Sequence, residues 1–376
     1  MSTQFLHKRS ITPNLQRKDD SSKNATSRQN AQEVQLPPRK PSSATVQDNF
    51  PLLASLLLTC LPTIYLYSLE RSRHGHHQQR IDLRILIWTY ILTGTVGITV
   101  AMAVQSVLAY LLALLCFHGH TTAMSYLAET MKTTEDDIKA LDEAHRRRRH
   151  EMARRRGYWV FMLLFSFLAA GLVEEGIKYI AIRTAMLALA QQQRSSHTGK
   201  GVSTERDNIT IAVSAALGFA TAENIAFLFA AARGRKGSGA KDSRQDTTFV
   251  LLTAVERVVL GITGHATTAA LIGVNMLIRD HHLNHYHHHH HHHHTLGRST
   301  TSISMNPTLW LILRDPALFH GFFNFMLFAV SALEGHVGWV HPRKPRTVCF
   351  VLAFAVGMQA ALALVLRERL RLVGLW

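Results

Sequence analysis

The stretch Gly171-Leu-Val-Glu-Glu-Gly-Ile-Lys-Tyr-Ile-Ala-Ile182 sits inside an apolar run from Tyr158 to Leu189 that is long enough to cross a bilayer. Two adjacent carboxylates and an ammonium near the middle of such a run are expensive: each costs about 2.5–3.5 kcal/mol on insertion scales. Groups of that cost persist where other polar groups meet them, so the stretch predicts a membrane helix with partners on neighbouring helices.

The rest of the chain supplies the neighbours. Apolar runs lie at about 50–69, 84–117, 158–189, 208–232, 249–278, 308–333 and 347–366, mostly bounded by charged or glycine-rich segments. The expected fold class is all-α, a polytopic transmembrane helix bundle of about seven spans. The second run is long for one span and leaves eight open, but Gly94-Thr-Val-Gly97 is no polar turn, so the reading keeps one long helix. The mean hydropathy of +0.03 hides this pattern, because a polar tail and charged loops dilute very apolar segments.

Residues 1–49 are rich in Ser, Thr, Gln, Asn, Lys and Arg, cannot bury a core, and read as a disordered cytosolic tail preceding a membrane domain over 50–376. No apolar run precedes Phe50 to suggest a cleaved signal. The net charge of +16 resides mostly in this tail and the loops, which argues against nucleic acid as a partner and for the lipid bilayer. Alternate connections, beginning with the tail, hold about 25 Lys and Arg against about 12 in the opposite set, which predicts a cytosolic N-terminus. The run Arg146-Arg-Arg-Arg-His-Glu-Met-Ala-Arg-Arg-Arg156 then reads as a stop on translocation. His287–His294 fall in a loop expected to be disordered over about 279–305, where repeated imidazoles have incidental metal affinity. Cys60, Cys116 and Cys349 lie in or beside apolar runs with no disulfide or zinc-knuckle spacing, and read as packing residues. The tail and the histidine run suggest a eukaryotic chain in the endomembrane system.

Four runs carry polar groups near their midpoints. Beside Glu174, Glu175 and Lys178 stand Gly218-Phe-Ala-Thr-Ala-Glu-Asn224, Arg257-Val-Val-Leu-Gly-Ile-Thr-Gly-His-Ala266 and His320-Gly-Phe-Phe-Asn324. At common depth their side chains can meet. Spacing supports this: Glu174 and Lys178, Phe219 and Glu223, Gly261 and His265, and His320 and Asn324 are each four residues apart, on one helical face. Gly171, Gly218, Gly261, Gly264 and Gly321 beside these stripes permit close helix approach.

These motifs resemble, in order, those of the PrsW-type intramembrane proteases, relatives of the CAAX-prenyl and bacteriocin-processing membrane proteases. Glu174, Glu175 and Lys178 match EExxK; Gly218 to Asn224 match GFAxxEN; His265 matches a later histidine; His320, Gly321 and Asn324 match HGxxN. The resemblance covers about 158–333. It stops short of the N-terminal part, where Glu70 to Arg84 replace an acidic stretch of the family. It implies a hydrolase that cleaves membrane protein substrates, with Glu174, Glu175, Lys178, Glu223, Asn224, His320 and Asn324 as catalytic candidates.

Peptide hydrolysis requires an activated water, oxyanion stabilisation and a proton for the leaving amine. Two mechanisms remain open at this point. In one, Glu174 or Glu175 polarises water directly, and His320 with Asn324 binds the oxyanion. In the other, His265, His320 and Glu223 hold a divalent metal such as zinc, and a glutamate of the 174–175 pair is the base. No HExxH or GxSxG is present. Midplane acids and histidines also occur in proton- or ion-coupled transporters and could survive in an inactive membrane scaffold. The absence of an internal repeat counts against the first, and the intact acids and histidines against the second.

Overall fold

The computed structural model describes residues 44–72, 82–131, 141–195, 205–234, 251, 253–290, 307–340, 342 and 344–375. All regular structure among them is helical. Seven helices are long and apolar enough to span a membrane: Leu52–Ser72, Leu83–Cys116, Arg156–Gln192, Glu205–Phe229, Thr253–His281, Leu309–Leu333 and Pro345–Leu372. Helices satisfy their backbone groups internally, which is why apolar runs of this length fold this way in lipid. The second run is continuous, as its sequence suggests, and seven spans stand in place of eight. The tail over residues 1–43 lies outside the described residues. The predicted loop after the fifth span begins later than expected, because that helix continues to His290; residues 291–305 lie outside the described set.

The fourth and fifth spans are the most enclosed, while the first, second and seventh turn most of their surface outward. Leu57, Trp88, Val107, Leu115 and Val356 cover the outside with apolar side chains, as a lipid-facing surface requires. All three cysteines are free, and Cys349 is exposed on the outer side of the seventh span, so the packing role expected of it does not hold there.

Close contacts between helices rest on glycine. A Cβ on Gly218 would collide with the Tyr90 carbonyl oxygen of the second span, and one on Gly171 would stand 2.6 Å from the Ala317 carbonyl oxygen of the sixth. Gly261 differs from expectation: the nearest neighbour to a Cβ there is Asn224 Oδ1 at 3.8 Å, so it lines space rather than a helix contact. Pro316 lacks the N–H that would bond the Ile312 carbonyl one turn earlier. Asn275 Nδ2 of the fifth span donates to that carbonyl at 3.1 Å, joining the two spans at the break.

Three spans contain a wider π-helical stretch: Thr93–Gly97 in the second, Phe165–Val173 in the third and Arg257–Ile262 in the fifth. The last two end just before Glu174 and His265. A bulge of this kind rotates the C-terminal part of its helix relative to the N-terminal part, and such bulges concentrate at functional sites.

Outside the spans, the arginine run forms the helix Glu143–Arg154, and His120–Thr130 forms another. Within this run Arg149 is buried. It donates to the Glu129 carbonyl and carboxylate at 2.9 and 2.7 Å and to the Val337 carbonyl at 2.5 Å. The Tyr158 hydroxyl accepts the Gly338 N–H at 2.6 Å. Gly338 has φ +80°, and a Cβ there would meet the Thr130 backbone at 2.8 Å. Both the turn and the close approach therefore favour glycine.

Candidate intramembrane active site

The third span supplies Glu174, Glu175 and Lys178, the fourth Glu223, the fifth His265 and the sixth His320, and the structure brings all six together. Glu175 and Lys178 are fully buried. Lys178 Nζ donates to Glu175 Oε1 at 2.7 Å and stands 2.8 Å from His265 Nδ1. The pairing within the helix is therefore with Glu175, three residues back, rather than with Glu174, four back; Glu174 meets Gln105 of the second span instead. The Phe219 ring lies 5.1 Å from the same ammonium.

Each imidazole is held by a carboxylate. His320 Nδ1 is 2.6 Å from Glu175 Oε1, which directs its Nε2 toward Glu174 Oε2 at 3.6 Å. His265 Nε2 is 2.8 Å from Glu223 Oε2, and the other oxygen of Glu223 accepts from Arg257 at 3.1 Å. The two rings are nearly perpendicular with centroids 5.2 Å apart. Thr268 donates to Glu175 Oε1 at 3.4 Å.

Two carboxylate oxygens are buried without a hydrogen-bond partner: Glu174 Oε2 and Glu175 Oε2. Buried polar atoms are normally satisfied, so two orphans in one cluster point to an occupant or a proton. Charge agrees, since Glu174, Glu175 and Glu223 outnumber Lys178 and Arg257 by one when ionised. Glu174, His265 and His320 each offer a ligand atom, and these atoms lie within 4.8 Å of one another. Glu174 thus takes the place that the sequence reading gave Glu223, because Glu223 is drawn to Arg257 and to the far side of His265. The donor set of one carboxylate and two imidazoles suits zinc. His265 has Glu223 at one nitrogen and Lys178 at the other, so its use as a ligand requires one of them to yield.

A partly open cavity adjoins the cluster between the fifth, sixth and seventh spans. Glu223, His265, His320 and Asn324 reach its wall, and Gly261 leaves backbone open on one side. Asn224 is buried beside Gly261 with its amide nitrogen unpartnered; it does not touch the ionisable groups directly.

Four residues of this region escaped the sequence reading as site residues. Gln105 Nε2 of the second span donates to Glu174 Oε1 at 2.8 Å, and Gln359 Nε2 of the seventh donates to the Leu260 carbonyl at 3.1 Å. Arg257 and Thr268 are the others. The signal for the glutamines was present as a single amide within each of two apolar runs.

Fold and site together define a polytopic integral membrane protein built around a buried ionisable centre. The family model described as PrsW family intramembrane metalloprotease matches residues 152–358, more than half of the chain, and the chain belongs to that family. No curated protein and no solved structure matches it.

Proposed function

We propose that this protein is an intramembrane endopeptidase that hydrolyses peptide bonds of membrane protein substrates entering the cavity beside His265 and His320. The observation that carries the reading is the pair of unpartnered carboxylate oxygens among two imidazoles and an ammonium. Glu174, His265 and His320 would hold a divalent metal, which supplies Lewis-acid polarisation of a carbonyl and of water.

The remaining work falls to the chain. Glu175 Oε2 is free to take a proton from water, while its Oε1 fixes the His320 tautomer and is itself held by Lys178. Glu223 orients His265 in the same way. Asn324, on the cavity wall, offers N–H donors to the oxygen that becomes negative. Asn224, directly behind Gly261, supports that wall. The low exposure of the cluster keeps bulk water from competing for these contacts. The distribution of Lys and Arg supports a cytosolic N-terminus, and the composition of the tail supports an endomembrane location.

The test is purification in detergent with metal analysis, joined to cleavage of a panel of fluorogenic single-span peptides. Glu174→Gln should bind metal measurably more weakly and lose turnover with it. Glu175→Gln should retain metal and lose turnover by about 10²–10⁴, the range that general-base catalysis contributes. Folded glutamine variants that cleave like the wild type would remove both residues from the mechanism.

A further inference from the structure

We infer that Gln105, in the second span and outside the segment matched by the family, is a positioning residue for Glu174 that selects which carboxylate oxygen faces the imidazoles. The inference rests on the reading of Glu174 as part of the hydrolytic centre. Gln105 Nε2 donates to Glu174 Oε1 at 2.8 Å and to the Ala169 carbonyl at 3.0 Å. An amide nitrogen carries two N–H donors, so both are used. One fastens Gln105 to the π-helical stretch Phe165–Val173, and the other fastens the first side chain beyond that stretch.

The geometry has a direction. With Oε1 held by Gln105, the free Oε2 is the oxygen 3.6 Å from His320 Nε2. A neutral donor fixes a carboxylate without cancelling its charge, whereas Lys or Arg at the same position would neutralise it. Gln105 thus adds no positive charge beside Glu174 to compete with a cation or a reacting proton on the opposite side. Gln105 does not line the cavity, so substrate need not touch it. Its route to the imidazoles is through Glu174. This makes the second span a contributor to the centre, although its sequence carries no charged residue between Arg84 and Cys116.

Gln105→Met preserves length and removes both donors. Measured by chelator competition with zinc alone on the purified protein, its affinity should fall about 10- to 100-fold, the usual effect of removing a hydrogen bond to a ligand. On the single-span peptides, kcat should fall with KM nearly unchanged. In a Glu174→Gln background, Gln105→Met should add no further loss of zinc affinity. A folded Gln105→Met with wild-type zinc affinity and kcat overturns the inference, as does an additive effect in the double variant. Gln105→Asn, one methylene shorter, carries the same test if the methionine variant fails to fold. If wild-type protein binds no zinc, the metal reading falls by itself, and Gln105 is then judged on kcat, where a wild-type value in either folded variant overturns it.

Discussion

A lysine with none of its surface exposed must be neutralised where it stands, and Lys178 is held between Glu175 Oε1 and His265 Nδ1. It touches the proposed base and a metal-ligand candidate but does not reach the cavity wall. Lys178→Met should therefore retain at least about tenfold more turnover than Glu175→Gln, since tuning a base costs less than removing it. Turnover per folded molecule, with folding followed by thermal unfolding in detergent, checks this order. At this scale the sequence was legible wherever a residue was anomalous. Glu174, Glu175, Lys178, Glu223, His265 and His320 stand out because charge in an apolar run is costly. Gln105 and Gln359 were silent because a lone amide is tolerated in a membrane helix and has no fixed partner at a readable spacing. Arg149 was silent for the opposite reason: three neighbouring arginines of its own run are exposed, and composition cannot distinguish the buried one.

Helix contacts are where sequence and structure agree on residues but not on rotation. Gly171 and Gly176 lie five positions apart in the same span, with opposite surroundings. A Cβ on Gly171 meets backbone at 2.6 Å, whereas one on Gly176 meets nothing within 4 Å. Gly171→Ala should lower stability by about 1–3 kcal/mol through overpacking. Gly176→Ala should leave it unchanged or raise it by about 0.5–1 kcal/mol through reduced backbone freedom. Thermal unfolding of the two variants side by side is the measurement. The seven helices were readable from run length, but the π stretches were not. Phe165–Val173 is ordinary apolar sequence, and its widened turn comes from packing against the sixth span around Gly321 and Phe167. That turn sets how the α-helix beginning at Glu174 is rotated against the second span, where Glu174 meets Gln105.

For the whole molecule, the seven candidate spans among the described residues predict that the chain's two ends lie on opposite sides of the membrane. The Lys and Arg asymmetry supports the proposal of a cytosolic N-terminus. Protease protection of terminal tags in sealed vesicles should show the N-terminal tag cleaved from the cytosolic side and the C-terminal tag protected. Both tags on one side would reject an odd number of spans. The charge pattern carries this much because it acts on insertion, before tertiary packing exists. The polar wall of the cavity, Glu223, His265, His320 and Asn324, was legible, but its apolar wall had no such signal, since Phe319, Phe323 and Leu362 are unremarkable singly.

The separation of the site's partners along the chain also sets a timetable for synthesis. Glu175 and Lys178 are three positions apart and enter the membrane as a mutually neutralised pair. His265 follows Lys178 by 87 residues, and His320 follows Glu175 by 145. A chain emerging N-terminus first therefore carries its acids into the bilayer long before the imidazoles arrive. On the proposed function, half-made protein would consequently be unable to cut its neighbours in the translocation machinery, and hydrolytic competence should appear only once the sixth span has docked.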